Sequence, residues 1–352
     1  MTEIDVELRH FVEHVRLLLC REPLEGLKVW ARLLSELRQA GHYDVCEELL
    51  DMIKGMDLPP QYGLAIVRYG EGWLYDRSGK WQEAIAAYEK ALVGFAQANL
   101  PLDVHILVQI GSLYQDQGDW SGAEDAYNRA LAIVEERPDR HGRGLILNNL
   151  AGLCSLRNET ERARQYYEEA RSIFRESDDR YNYAGSGVGL ASVLRDEGRL
   201  QDAVNQLVES LSIFRDLSDL HGVATSVASL ALTYHVAGHL PEAAQTYRTA
   251  LEIFLSLKDR SSTAKTLANL ALVTQAAGDN DEALGYLEQA ITEYREIGDR
   301  HGEALALVNL ARLHKVRGDA DGVRQAVAAA TAISTDNGYL DQLQRLHDQV
   351  IH

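Results

Sequence analysis

The sequence predicts an all-α fold: an α-solenoid of about eight helix pairs with a capping helix at each end. Three observations carry this. First, a turn residue recurs at Gly41, Gly79, Gly118, Asn158, Gly198, Gly238, Gly278 and Gly318, in steps of 38, 39 and then 40 residues throughout. Second, small residues flank each turn at fixed offsets: Ala84, Ala123, Ala163, Ala203, Ala243 and Ala283 five after, and Gly111, Ala151, Ala191, Ala231, Ala271 and Ala311 seven before. Third, the chain holds only 6 Pro and 5 Phe against many Ala and Leu, which favours helix. Self-similarity at a fixed period decides the fold before any local assignment.

In chain order, Ile4, Leu8, Phe11, Val12, Val15, Leu18 and Leu19 lie at helical spacing on one face, so residues 1–22 read as an N-terminal capping helix. Pro23 suits the first turn of the next helix. Residues 23–60 form a degenerate first pair that keeps Trp30, Leu33, Gly41 and Cys46, and Pro59-Pro60 ends it. Residues 61–336 hold seven regular units. Each is two helices meeting at the turn residue, whose left-handed backbone Gly tolerates best and Asn next. Small residues at the crossing let helix axes approach to about 8–10 Å. Nine after the turn, Tyr88, Tyr127, Tyr167, Leu207, Tyr247 and Leu287 fill the groove between neighbours. One pair cannot bury its apolar face alone, so pairs stack and share a continuous core. After Gly338, Leu340, Leu343, Leu346 and Val350 line one side of a last helix, making 337–352 a C-terminal cap.

These residues spell a motif. Leu107-x2-Ile110-Gly111-x2-Tyr114 followed by Ala123-x3-Tyr127-x2-Ala130 resembles the tetratricopeptide repeat, as does Val227-x2-Leu230-Ala231-x2-Tyr234 with Ala243-x3-Tyr247-x2-Ala250. The resemblance implies a right-handed superhelix with the first helix of each pair lining the concave face. One departure is systematic. The helix-ending proline of the family, 17 after the turn, is replaced by Ala96, Glu135, Arg175, Arg215, Leu255 and Arg295. The second helix therefore runs on, and is expected to end at a recurrent Asp-Arg: Asp139-Arg140, Asp179-Arg180, Asp259-Arg260 and Asp299-Arg300, with Asp219-Leu220 the exception. This explains a period of 40 in place of the usual ~34. Such long repeats are similar to those of kinesin light chains, spindle-orientation adaptors and bacterial regulators.

Composition narrows function. A net charge of −18 repels phosphate backbones and anionic lipid, so neither nucleic acid nor membrane is an expected partner. Three cysteines without a CxxC pattern, Cys20, Cys46 and Cys154, fit a reducing compartment. No apolar run reaches the ~20 residues of a membrane span, and Met1-Thr2-Glu3-Ile4-Asp5 does not begin a signal peptide. The expected location is cytoplasmic.

Catalytic and metal motifs are weak. His10-Phe11-Val12-Glu13-His14 matches an inverted zinc-peptidase pattern, but it sits on the capping helix with no third ligand, and chance on an amphipathic helix explains it better. Gly185, Gly187 and Gly189 mimic a phosphate loop without the strand before it or the Lys-Ser/Thr after it. They read as close packing, a flexing point or a ligand contact. His141, His221 and His301 share one register two units apart, too far to share a metal. No cofactor, no metal and no enzymatic activity are expected.

The functional signal is polar. Asn148, Asn149, Ser229, Asn269 and Asn309 recur mid-helix on first helices, although Asn is a mediocre helix former. An Asn side chain can donate and accept together, matching an extended peptide backbone. Lys265, Arg312 and Lys315 stand at nearby registers and could receive a carboxylate from an acidic peptide or a free C-terminus. The expected function is a protein-interaction scaffold that binds an extended peptide or partner helix on the concave surface. Two alternatives stand beside it: a bacterial peptide-signal sensor, and a self-associating array, a homo-oligomer, in which the Asn side chains bond internally.

Overall fold

The computed structural model describes residues 60–77, 80–97, 103–136 and 139–333, with scattered positions between 13 and 55. Among the described residues the long helices are α1 (Pro60–Arg77), α2 (Trp81–Gln97), α3 (Asp103–Asp116), α4 (Trp120–Glu136), α5 (Arg140–Leu156), α6 (Thr160–Glu176) and α7 (Arg180–Asp196). There follow α8 (Leu200–Asp216), α9 (Leu220–Val236), α10 (Leu240–Ser256), α11 (Arg260–Ala276), α12 (Asn280–Ile297), α13 (Arg300–Val316) and α14 (Ala320–Ile333). No strand occurs among the described residues, and no helix there is long and apolar enough to cross a membrane.

The chain divides into two compact units, residues 1–157 and 158–352. In the first, α1 packs on α2 and α3 on α4, with α3 also touching α5. Its core joins Tyr88, Phe95 and Ile110 to Val15, Trp30, Leu49 and Ile53, so these N-terminal positions share one interior with the repeats. In the second, α7–α8, α9–α10, α11–α12 and α13–α14 are packed pairs. Alternate helices also meet there, α7 with α9, α9 with α11 and α11 with α13, so the first helices form a layer of their own.

The small residues do what their spacing predicts. A Cβ on Gly111 would lie 2.7 Å from Tyr127 Cδ1, and one on Gly72 2.7 Å from Tyr88 Cδ1, so each glycine lets a Tyr ring press on bare backbone. In the second unit Ala203, Ala243 and Ala283 are fully buried at the same crossing.

Both turns of a repeat use one device. Gly198 has φ +77°, its N–H donates to Arg195 O at 2.9 Å, and the N–H of Arg199 donates to Leu194 O at 2.8 Å. That hydrogen-bond pair satisfies two orphan carbonyls at the helix end. Asn158, at φ +58°, takes the glycine position as its tolerance of the left-handed region predicts. The second turn repeats the pattern with Asp178, Ser218, Lys258 and Gly298 in the left-handed conformation.

This second turn corrects one expectation. The Asp of the Asp-Arg pairs does not end the second helix. Before Asp179, Asp219, Asp259 and Asp299 the left-handed residue does, and the Asp is the N-cap of the next first helix. Asp139, Asp179, Asp219, Asp259 and Asp299 accept from the backbone N–H of Gly142, Asn182, His221, Ser262 and Gly302. Capping needs only the carboxylate, so Asp219 serves equally well before Leu220.

Candidate functional site

The predicted site residues fall in both units, which are taken separately. In the first, Asn148 and Asn149 are half-buried on α5. Asn149 Nδ2 donates to Leu145 O at 2.9 Å, one turn back in its own helix. This leaves its amide oxygen as an acceptor.

The second unit carries the remainder. On α11, Lys265, Asn269, Leu272 and Ala276 follow the i, i+4, i+7, i+11 spacing of a single helical stripe. Lys265 and Ala276 are exposed, and Asn269 and Leu272 half-buried. Neither Lys265 nor Asn269 has a side-chain partner among the described residues. On α13, which packs directly beside α11, the matching stripe is Leu305, Asn309, Arg312 and Val316. Leu305, Arg312, Lys315 and Val316 are exposed. Asn309 is different: it is 6% exposed, and its side-chain oxygen accepts a long bond from Arg312 Nη1 at 3.4 Å. On α9, Ser229 is half-buried beside the exposed Val236.

Two residues at a further register of the same layer were not singled out from the sequence. Arg195 donates to Ser192 Oγ at 2.6 Å and lies 3.4 Å from Asp196 Oδ1. His235 is half-buried on α9, and burial holds its imidazole below the ordinary value. A search for polar residues three before each turn would have found both, with Gln115, Gln275 and Lys315. The face is thus polar and cationic at α11–α13, with apolar Leu272, Leu305 and Val316 between the charges.

The glycines of α7 resolve into two kinds. A Cβ on Gly187 would sit 2.4 Å from Ser210 Oγ, and one on Gly189 2.4 Å from Tyr167 Cζ, so both are close-packing sites. Gly185 meets nothing within 4 Å. His221 pairs with Asp259 at 3.2 Å, joining α9 to the cap of α11. Cys154 is buried and is in no disulfide among the described residues. His10, Cys20, Cys46 and residues 337–352 lie outside the described residues.

A tetratricopeptide repeat profile matches residues 103–176, 185–256 and 262–336, and a second profile of the same description matches 72–94. The chain belongs to the tetratricopeptide repeat family. No curated protein sequence gives a significant match. Among solved structures, a Rap protein complexed with Competence and Sporulation Factor overlays with a TM-score of 0.66 at 15% identity, covering 97% of each chain. The apo quorum sensor NprR from B. thuringiensis gives 0.65 at 15% identity, over 94% of this chain and 99% of that one. BtubC from P. vanneervenii gives 0.52 at 22% identity, over 62% of this chain and 92% of that one. At these identities the likeness is one of fold.

Proposed function

We propose that this tetratricopeptide repeat protein is a non-catalytic, cytoplasmic scaffold that binds an extended peptide, acidic or ending in a free carboxylate, on its first-helix layer. One observation carries the reading. Lys265 and Asn269 stand one turn apart on α11 without side-chain partners among the described residues, and the adjoining helix α13 carries exposed Arg312 at the register of Leu272. Asn269 would pair with peptide N–H and C=O, while Lys265, Arg312 and Lys315 receive carboxylate oxygens. Leu272 and Leu305 would pack against side chains between them. Asn309 would position Arg312, and Ser229 would extend the contact within the second unit, while Asn148 and Asn149 would be peptide contacts of the first unit. The self-associating alternative needs these Asn side chains to bond to neighbouring helices. Asn149 and Asn309 bond within their own helices and Asn269 has no partner, which favours the peptide reading.

The test is binding of the full chain to an immobilised library of extended peptides with free or amidated C-termini, in ~0.15 M salt. A Lys265→Ala/Asn269→Ala/Arg312→Ala variant should lose at least tenfold in affinity for the best acidic peptides. Equal binding by both proteins would overturn the assignment. A signal-sensor reading of the same face draws on the near full-length overlay with the Rap complex and with NprR. It requires compaction on binding, seen as a fall in radius of gyration with the best peptide. An unchanged radius would leave only the scaffold.

A further inference from the structure

A second, different surface lies on the other side of α11. A cavity of about 360 Å³ opens among α10, α11 and α12, and its apolar lining is Leu251, Leu255 and Leu267. Leu267 and Asn269 are two positions apart, about 200° around the helix, so the cavity faces away from the layer discussed above.

Two departures from the repeat pattern create it. Seven after the turns stand Glu48, Ala86, Asp125, Gln165, Asn205, Gln245 and Gln325, but here Gly285. A Cβ on Gly285 would meet nothing within 4 Å, so close packing is not what requires glycine there. Seventeen after the turn stand Ala96 and the charged Glu135, Arg175, Arg215 and Arg295, but here Leu255, which is 56% exposed. The corresponding place among α6, α7 and α8 is filled from within. There the Arg171 guanidinium lies 4.2 Å from the centre of the Tyr183 ring, donates to Glu209 at 2.8 Å and bonds Gln206. In the α10–α12 layer Leu251 and Thr263 take the places of Arg171 and Tyr183, so an aliphatic side chain and a small hydroxyl stand where the other repeat has a guanidinium and a ring. A mid-helix glycine costs roughly 0.5–1 kcal/mol against alanine, and an exposed Leu gains nothing by folding. Together they leave an apolar hollow where another repeat builds a plug.

The rim is acidic. Glu288 lines the cavity, is exposed, and its carboxylate has no partner among the described residues. Glu252, one turn before Leu255, is likewise exposed and unpartnered. Glu293 is neutralised by Arg260 at 2.8 Å.

We propose that this cavity is a docking site for a helical segment of another protein that inserts one large aliphatic side chain flanked by Lys or Arg. The aliphatic group fills the space above Gly285 against Leu251, Leu255 and Leu267. One cation meets Glu288 at the rim and the other reaches Glu252 beyond the lining, one turn before Leu255, where charge complementarity adds specificity and speeds association.

The test uses the full chain and a labelled Ala-based helical peptide of about 18 residues, long enough to be helical alone. It carries one Leu with Lys one turn to either side. One control peptide has Ser for Leu, and another Glu for Lys. In ~0.15 M salt, fluorescence anisotropy should show the Leu/Lys peptide binding at least tenfold more tightly than either control. Gly285→Gln and Leu255→Arg restore the residues of the other repeats and so preserve the helix, which circular dichroism checks. Each should lower Leu/Lys affinity at least tenfold, whereas Lys265→Ala/Arg312→Ala should not change it. Equal binding of the Leu and Ser peptides, or wild-type affinity in Gly285→Gln, would overturn the proposal.

Discussion

Three glycines of one helix should respond to the same substitution with opposite signs. Gly185, Gly187 and Gly189 all lie within α7, where replacing Gly by Ala removes backbone freedom from the unfolded chain and favours helix by roughly 0.5–1 kcal/mol. At Gly185 nothing opposes this gain, because a new methyl meets no atom within 4 Å. Gly185→Ala should stabilise by about that amount. At Gly189 the methyl would sit 2.4 Å from Tyr167 Cζ, and the ring is buried on a crossing that cannot open without moving α6. Overpacking costs typically about 1–3 kcal/mol, so the net is a loss of about 0.5–2. At Gly187 the methyl displaces Ser210 Oγ, which donates to Ala184 O at 2.9 Å inside the interface. Losing that bond leaves the buried Ser210 hydroxyl without its acceptor, which costs about 1–3 kcal/mol, again beyond the helix gain. The assay is urea unfolding followed by circular dichroism, comparing midpoints at unchanged slope. Repeat arrays lose two-state behaviour when long, so the midpoint of the transition reporting the second unit is the quantity to compare. If all three variants shift the same way, close packing is not why glycine stands at 187 and 189.

Other substitutions probe the caps and the buried polar atoms. Asp259→Ala removes an N-cap and should cost about 1 kcal/mol at pH 7, measured by the same unfolding. Burial alone would raise the Asp259 carboxyl, but bonds from Ser262 and the neighbouring His221 outweigh it and hold the group below its ordinary value. Its contribution is therefore present above the unfolded-state range near pH ~4, and the gap between wild type and Asp259→Asn should shrink as pH falls below that. Tyr247 is 1% exposed and its hydroxyl has no hydrogen-bond partner. Burial pushes its phenol well above the ordinary value, with the Arg195 guanidinium only partly offsetting this. Tyr247→Phe should raise stability by about 1 kcal/mol, and a loss would show that the hydroxyl is satisfied in solution. His235 is held below the ordinary value by burial, so the unfolded chain binds more protons below pH ~6.5. Wild type should lose stability between pH 7 and 5 faster than His235→Gln, and parallel pH profiles would refute it.

The repeat was legible because framework residues recur. Gly118, Ala123 and Tyr127 specify a turn, a crossing and a groove filler, and the same triplet at Gly238, Ala243 and Tyr247 removes ambiguity. The second turn was not legible, because the left-handed position is occupied by Asp178, Ser218 and Lys258, whose side chains do not announce it. Only Gly298 does, and alone it reads as an accident of composition. The site was legible in part. Helical spacing places Lys265 and Asn269 on one stripe, but whether an Asn is open or enclosed depends on neighbours. Asn269 and Asn309 share a register, yet Asn309 is buried. The cavity was missed for the opposite reason. Leu255 and Gly285 belong to different helices, and only packing α10 against α12 brings both departures to one hollow.

The two proposed surfaces share α11, and its packing limits how far they can influence each other. A helix with its side chains is about 10–12 Å across, so ligands on opposite sides do not touch. Transmission would need α11 to shift. Yet Ala271, Ala283 and Leu287 are at most 1% exposed where α11 crosses α12. A close-packed crossing of this kind has no slack for a small displacement. Sites this far apart without shared partners add within about 0.3–0.5 kcal/mol. A peptide on the first-helix layer should therefore leave the affinity of the Leu/Lys helix unchanged within a factor of about two, measured by titrating one in the presence of saturating amounts of the other. A tenfold change in either direction would mean that α11 moves as a rigid element between two packings, and the repeat would then be a relay between its faces.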